Sequence, residues 1–458
     1  VARGEGRPTG KISTISIITP GGDEYGIAGR PRAVRKAFRR PTGLSFTDSI
    51  PPPVRLGRDK PGNPTAARVK FLANRHINRL AAHSTLHQLA WCISGVFFGV
   101  FLLKAGIAPA VIFLSIAGIR VVRFALRPLV LLVIPAIGLR RTMMLATFLF
   151  ALQYPALAFV DGPGPALFLF CAITALGEGF YFTCYHALFA ALGDAEHRGS
   201  QLGIRQGLAA VANVVAPVAG GLALMGFGPW AAFGVAALSE IAAVLPLRDL
   251  PDLPVDHATT RDVYASAQSG VYLFLTDGWI TTCSAVAWDI IMFRALGGRY
   301  DAFGGALAVA ALFGALGGFA LGRFIDISRA RYAAGINAVV CAAMIVLKAV
   351  CGEDPAAVVV TASIAAMMGA LYSPSLMTAV YNDAKLSACP MRFQFAAEAC
   401  WDIGSAAASL AAAAACVMGI SLQTVILLAL PMVGFQAALL RERYAAHGIR
   451  ADQARAAT

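Results

Sequence analysis

Between about residue 85 and residue 440 the chain consists of long apolar runs separated by short polar or glycine-rich breaks. The runs fall near 86–104, 108–133, 143–160, 165–190, 203–225, 229–247, 269–293, 303–322, 333–351, 356–380, 394–418 and 421–440. About twenty consecutive apolar residues carry a helix across the hydrocarbon layer of a bilayer, so each run predicts one crossing. The strands of a membrane barrel would instead alternate apolar and polar positions over about ten residues. The breaks include Lys104-Ala105-Gly106, Gly138-Leu139-Arg140-Arg141 and Asp161-Gly162-Pro163-Gly164, and the longest, 248–268, follows the sixth run. The expected fold class is therefore an all-α membrane protein of twelve transmembrane helices in two six-helix halves. The N-terminal half is expected at 81–247, a cytoplasmic linker at 248–268 and the C-terminal half at 269–440, with parallel halves flanking a substrate path.

Composition agrees with this pattern. Of the 458 residues, 58% are hydrophobic and 14% charged, against about 25% charged in an ordinary soluble domain. Mean hydropathy is +0.67. The formal charge of +13 invites a nucleic-acid reading, but the basic residues sit in the first eighty positions and in the short breaks. That distribution describes membrane topology rather than a polyanion-binding face. With the N-terminus inside, Arg127, Arg140, Arg141, Arg198, Arg205, Arg248, Arg261, Arg323, Arg329, Arg331, Lys385 and Arg392 fall on the inner side. Lys104, Arg294, Arg299 and Lys348 fall outside. The bias predicts both termini in the cytoplasm and a bacterial inner membrane as the location.

Residues 1–80 form a basic tail rich in Arg, Pro and Gly, expected to be disordered to about residue 70, and 441–458 form a second cytoplasmic tail. The opening stretch has no apolar core beside a basic flank of the signal-peptide kind. The chain starts at Val1 and has its first methionine at Met143, so the tail is given little functional weight. The nine cysteines are scattered through apolar runs without ligand-like spacing, which predicts packing rather than disulfides or zinc. No metal or other cofactor is expected, and Cys184-Tyr185-His186 is a weak exception.

Ionisable side chains inside the apolar runs are the candidate chemistry, because an unpaired ion in hydrocarbon is costly and must face a partner or a water path. Arg120 lies mid-run, either contacting an anionic substrate or pairing with another helix. Arg123 and Arg127 follow it at helical spacing, as gate, topology anchor or cargo contacts. Glu178, between two glycines, is a proton carrier or a structural partner of Arg120. Glu240 lies in the sixth run and Asp277 in the seventh. Glu398 and Asp402 stand one turn apart on one face of the eleventh run, beside Trp401, and are expected to cluster with Asp277 or to be solvated caps.

The loop motifs resemble those of the major facilitator superfamily over about residues 85–440. Gly318-Phe-Ala-Leu-Gly322-Arg323-Phe-Ile-Asp326-Ile-Ser-Arg329-Ala-Arg331 is similar to the family's cytoplasmic signature between helices eight and nine. Gly138-Leu139-Arg140-Arg141 keeps part of the earlier copy, with Leu, Ile and Pro where Gly and Asp are expected. Ala216-Pro217-Val218-Ala219-Gly220-Gly221 resembles the antiporter signature of helix five. The resemblance implies alternating access, with Arg123, Arg127, Arg140, Arg141, Arg205, Pro217, Arg323, Asp326 and Arg329 as gating candidates. Arg120, Glu178, Glu240, Asp277, Glu398, Trp401 and Asp402 are then the candidates for substrate or ion translocation.

The expected function is secondary active export of a small organic compound, coupled to protons as antiport, with membrane lipids as surroundings and no nucleic-acid partner. Metabolite-anion uptake or uniport is the second reading. It gains if several basic groups converge on one cavity. A non-transporting assembly factor or receptor is the third, with a closed cavity and paired Glu178 and Asp402. No nucleophile-base constellation points to an enzyme. A monomer suffices for such transport, and a dimer stays open.

Overall fold

A bundle of helices packed side by side follows from the apolar runs, since each helix satisfies its own backbone polar groups and leaves side chains to meet neighbours or lipid. The structure is a computed structural model. It describes residues 74–192, 198–253, 271–327, 330–386 and 390–456, with side chains undescribed at 190, 191, 198–206, 319–327, 330–333, 371, 373–375, 378, 381, 382, 385, 386, 390, 391 and 444–456. The expected N-terminal tail before residue 74 and most of the 248–268 linker lie outside the described residues.

In chain order the helices are α1 (Arg75–Ile93), continued through a 3-10 turn by α2 (Phe98–Lys104), α3 (Pro109–Ile137), α4 (Leu139–Ala158), α5 (Pro165–Leu192) and α6 (Arg198–Gly226). Next come α7 (Pro229–Ala242), the short α8 (Val244–Leu247), and α9 (Val271–Thr281), which passes through a π-helical turn at Thr282–Val286 into α10 (Ala287–Ala295). The remainder are α11 (Tyr300–Ile327), α12 (Ala330–Val350), α13 (Pro355–Leu386), α14 (Pro390–Val417), α15 (Leu422–Leu427) and α16 (Leu430–Ala456). All belong to the unit Pro52–Thr458. Among the described residues, 8 helices are long and apolar enough to cross a membrane. The protein is an all-α membrane protein. Its outer surface carries large apolar side chains such as Phe168, 77% exposed, and Val417, 76% exposed, which suit lipid contact and not water.

Two helix ends differ from the expected limits. α1 begins at Arg75, inside the stretch assigned to the tail, because its polar start finds partners. The Asn74 side chain caps the helix by accepting from the Ile77 N–H at 3.1 Å, and Arg79 pairs with Asp249 at 3.0 Å. α16 runs to Ala456, through the segment assigned to the C-terminal tail.

Glycines set how closely three pairs of helices approach. On α6, a Cβ at Gly220 would strike the Ile93 carbonyl of α1 and one at Gly221 the Tyr300 carbonyl of α11, while a Cβ at Gly304 of α11 would strike the carbonyl of Pro217. Gly278 of α9 and Gly404 of α14 likewise admit the carbonyls of Trp401 and Leu275. Small residues permit such backbone contact in the absence of any hydrophobic drive between helices in lipid. At the same end of the bundle Phe97 packs edge-on against Tyr300 and Phe303, and Lys104 lies 4.6 Å from the Tyr300 ring centre.

Overpacking a tight contact costs about 1–3 kcal/mol. Gly220→Val is therefore expected to lower the thermal unfolding midpoint of the purified protein in detergent. An unchanged midpoint would show that α1 and α6 do not touch there.

Candidate functional site

The three arginines of α3, spaced i, i+3 and i+7, share one helix face, and they meet carboxylates from two other helices. Arg120 pairs with Glu178 of α5. Arg123 reaches Glu178 at 3.0 Å, Glu398 of α14 at 3.3 Å and Asp402 of α14 at 2.5 Å. Arg127 pairs with the other oxygen of Asp402. Three cations thus meet three carboxylates in a knot that ties α3 to α5 and α14. Arg123, Arg127 and Asp402 are almost fully buried. A guanidinium keeps its charge under all ordinary conditions, and its fork geometry serves several carboxylate oxygens together.

Trp401 covers the knot, with the Arg120 and Arg123 guanidinium carbons 4.9 Å and 5.4 Å from its ring centre. Its indole N–H donates to Asp277 of α9 at 3.1 Å, and the Tyr372 hydroxyl of α13 donates to the other oxygen of Asp277 at 2.9 Å. Gln436 of α16 donates to both the Tyr372 hydroxyl and Thr276, each at 3.1 Å.

Beside the knot lies a cavity of about 420 Å³. Its wall comprises Ser84, Thr85, His87, Gln88 and Trp91 of α1, Arg120 and Arg123 of α3, and Phe150 of α4. It is completed by Glu178, Tyr181, Phe182, Tyr185 and His186 of α5, Ala209 and Asn213 of α6, and Trp401 of α14. The α1 contribution is a polar and aromatic stripe, because residues 84, 87, 88 and 91 recur at helical spacing. Gln88 donates to Asn213 at 2.8 Å, fixing α1 against α6. His186 stands 3.9 Å from Glu398. The wall is rich in hydrogen-bonding groups and aromatic faces, and its ionic members Arg120, Arg123 and Glu178 all have partners within the knot.

A sequence profile described as Major Facilitator Superfamily matches residues 83–409. The chain belongs to the Major Facilitator Superfamily. It is a multi-pass membrane transporter of that superfamily's fold. No curated protein shows a significant sequence match. Among solved structures, the chain is similar to the nucleoside transporter NupG, at 14% identity and a TM-score of 0.56, covering 81% of this chain and 98% of that one. A bacterial homologue of the iron transporter ferroportin, in an inward-facing state, aligns at 13% identity and a TM-score of 0.55, covering 81% and 98%. A bacterial metal transporter aligns at 13% identity and a TM-score of 0.52, again over 81% and 98%. At such identities the likeness is one of fold.

The remaining superfamily motif positions and predicted residues are distributed as follows. Glu398 and Asp402 join the arginines of α3 and not Asp277, which is held by neutral donors on the far side of Trp401; neither acid is a solvated cap, since Glu398 is 7% exposed and Asp402 1%. Glu240 lies apart from the knot, bonded to His87. Arg140 donates to the carbonyls of Arg248 and Leu250 at 2.9 Å and 3.0 Å, and Arg141 lies 3.7 Å from Asp252, so both fasten the stretch after α8 to the start of α4. Pro217 sits at the α6–α11 contact. The side chains of Arg205, Arg323, Asp326 and Arg329 lie outside the described residues. Among the described residues no group of three His, Cys, Asp or Glu side chains is placed to hold a metal ion.

Sequence reasoning missed Ser84, His87, Gln88, Trp91 and Asn213. Starting the first apolar run at residue 86 cut the α1 stripe in two, although its spacing was legible.

Removing one partner of a buried ion pair costs about 3–5 kcal/mol, because the other charge is left uncompensated. Asp402→Asn is expected to lower the unfolding midpoint sharply, and Arg127→Gln added to it to restore part of the loss. Strict additivity of the two changes would show that Arg127 and Asp402 are not coupled.

Proposed function

We propose that the chain is a secondary active transporter of twelve transmembrane helices in two six-helix halves, 81–247 and 269–440, that exports a small polar organic compound by alternating access in exchange for protons. The observation that carries this reading is the cavity beside a charge-balanced knot. The cavity is large enough for a small solute, and the knot joins α3 and α5 of one proposed half to α14 of the other. Breaking and remaking such a knot as the halves rock is a discrete two-state event of the kind alternating access needs. The assembly-factor reading called for a closed cavity with Glu178 and Asp402 paired away from solvent; both acids are paired and buried, and the cavity volume is what argues against that reading.

The pairing of the wall's ionic members within the knot argues for cargo class. A singly charged cargo would have to compete with an existing partner of Arg120, Arg123 or Glu178. A neutral or zwitterionic compound gains hydrogen bonds from Gln88, Asn213, Ser84 and Tyr185 and a stacking surface from Trp91, Tyr181 and Trp401 without that competition. With both termini in the cytoplasm and the inner membrane as the location, the contacts of Gly220, Gly221 and Gly304 would close the outer end, a position suited to loading from inside. Organic-anion uptake is the second reading, favoured by the two arginines that line the cavity.

Proteoliposomes loaded with a pH dye and exposed to panels of neutral polar compounds, zwitterions, lipophilic cations and organic acids distinguish these readings. A dye response to neutral or zwitterionic compounds is expected, with Trp401→Ala weakening apparent affinity about tenfold, or about 1.4 kcal/mol. A response to organic acids alone would favour the second reading, and silence across all panels would contradict proton-coupled transport.

A further inference from the structure

Glu178, Glu398 and Asp402 are each compensated by arginine, whose charge is fixed. Glu240 differs. It sits on α7 with no exposed surface, and among the described residues its sole ion-pair partner is His87 of α1, whose Nδ1 lies 2.9 Å and 3.0 Å from its two carboxylate oxygens. A neutral His87 leaves a buried net negative charge, which hydrocarbon surroundings oppose, whereas one added proton makes the pair neutral overall. Nδ1–H stays on Glu240, so the added proton occupies Nε2, an atom with no hydrogen-bond partner among the described residues, on a ring that lines the cavity.

The ring is held in place for this task. It stacks on Tyr181 of α5 with centres 4.1 Å apart and receives Phe150 of α4 edge-on at 4.8 Å. His83, one turn away on α1, lies 6.4 Å from it and is occupied by the Ala243 carbonyl and the Tyr181 hydroxyl at 2.8 Å and 3.1 Å. The other titratable or charged groups facing the pair include Tyr185 and His186 of α5 on the cavity wall, Tyr154 of α4, toward Glu240, and Glu178, Arg120 and Arg123 across the cavity. None of these last four forms an ion pair with either member.

We propose that His87 and Glu240 form the proton-binding site of the transport cycle, a site separate from the arginine knot, loaded and emptied through His87 Nε2 from the cavity. The inference rests on the proton-coupled reading above. The step is a simple protonation, in which neutral His87 beside ionised Glu240 takes one proton from cavity water and becomes imidazolium. Because cargo and proton meet at the same wall, cargo that fills the space beside His87 displaces the water through which the proton exchanges. Proton and cargo then compete, as antiport requires.

The test is charge displacement in proteoliposomes on a solid-supported membrane, without cargo, on jumping from about pH 8 to about pH 6. The wild type is expected to give a transient current that is lost in His87→Gln and in Glu240→Gln and kept in His76→Gln, a change at an exposed histidine. A wild-type current unchanged in both His87→Gln and Glu240→Gln, or lost instead in His186→Gln, overturns the assignment while leaving proton coupling intact. No current in the wild type overturns proton coupling itself. If the variants do not elute as folded protein, diethyl pyrocarbonate treatment of the wild type with mapping of acylated histidines serves in their place. Loss of current in step with acylation of His87 supports the site. A current that survives acylation of His87, or a His87 that resists acylation, overturns it.

Discussion

Three arginines on one face of a membrane helix impose a constraint on everything around them. Their charge cannot be removed by deprotonation, so three carboxylates must be brought to the same depth, and the sequence of α3 alone cannot supply them. Glu178 from α5 and Glu398 and Asp402 from α14 do so, which fixes how α3, α5 and α14 are rotated about their axes. Trp401 then lies over the guanidinium groups, and Asp277 follows through the indole N–H. The cavity is the space left beside this arrangement, walled on its other sides by α1, α4, α5 and α6.

A knot of this kind contributes little net stability, since desolvating six charges offsets most of their attraction. In the proposed transport cycle its role is specificity and switching. While the pairs hold, α3 and α14 stay together at that depth. When they part, every charge must find water or a new partner, so intermediate arrangements are disfavoured. The glycine contacts between α6 and α11 work differently, because they depend on van der Waals approach of two backbones and carry no charge. Together they give the bundle two contacts of distinct chemistry, a polar one at the cavity and an apolar one near Lys104 and Tyr300.

Much of this was legible in the sequence. The apolar runs located the helices, because continuous apolar length has one structural answer in lipid. The i, i+3, i+7 spacing of Arg120, Arg123 and Arg127 and the i, i+4 spacing of Glu398 and Asp402 placed each set on one face. Which face met which was not legible. The α14 carboxylates were expected to cluster with Asp277 or to be solvated caps, and only packing puts Arg123 within their reach while Trp401 takes Asp277. The start of α1 was hidden for a different reason. Arg79 and His83 look like solvated residues until Asp249 and the Ala243 carbonyl that partner them are in view.

The central claim is that this cavity faces each side of the membrane in turn. The most direct measurement is labelling of Ser84→Cys, a residue of the cavity wall, by a membrane-impermeant maleimide in right-side-out and in inside-out vesicles, read over the wild-type cysteine background. The account predicts labelling from both sides. Labelling confined to one side, whatever pH or compound is present, would contradict it.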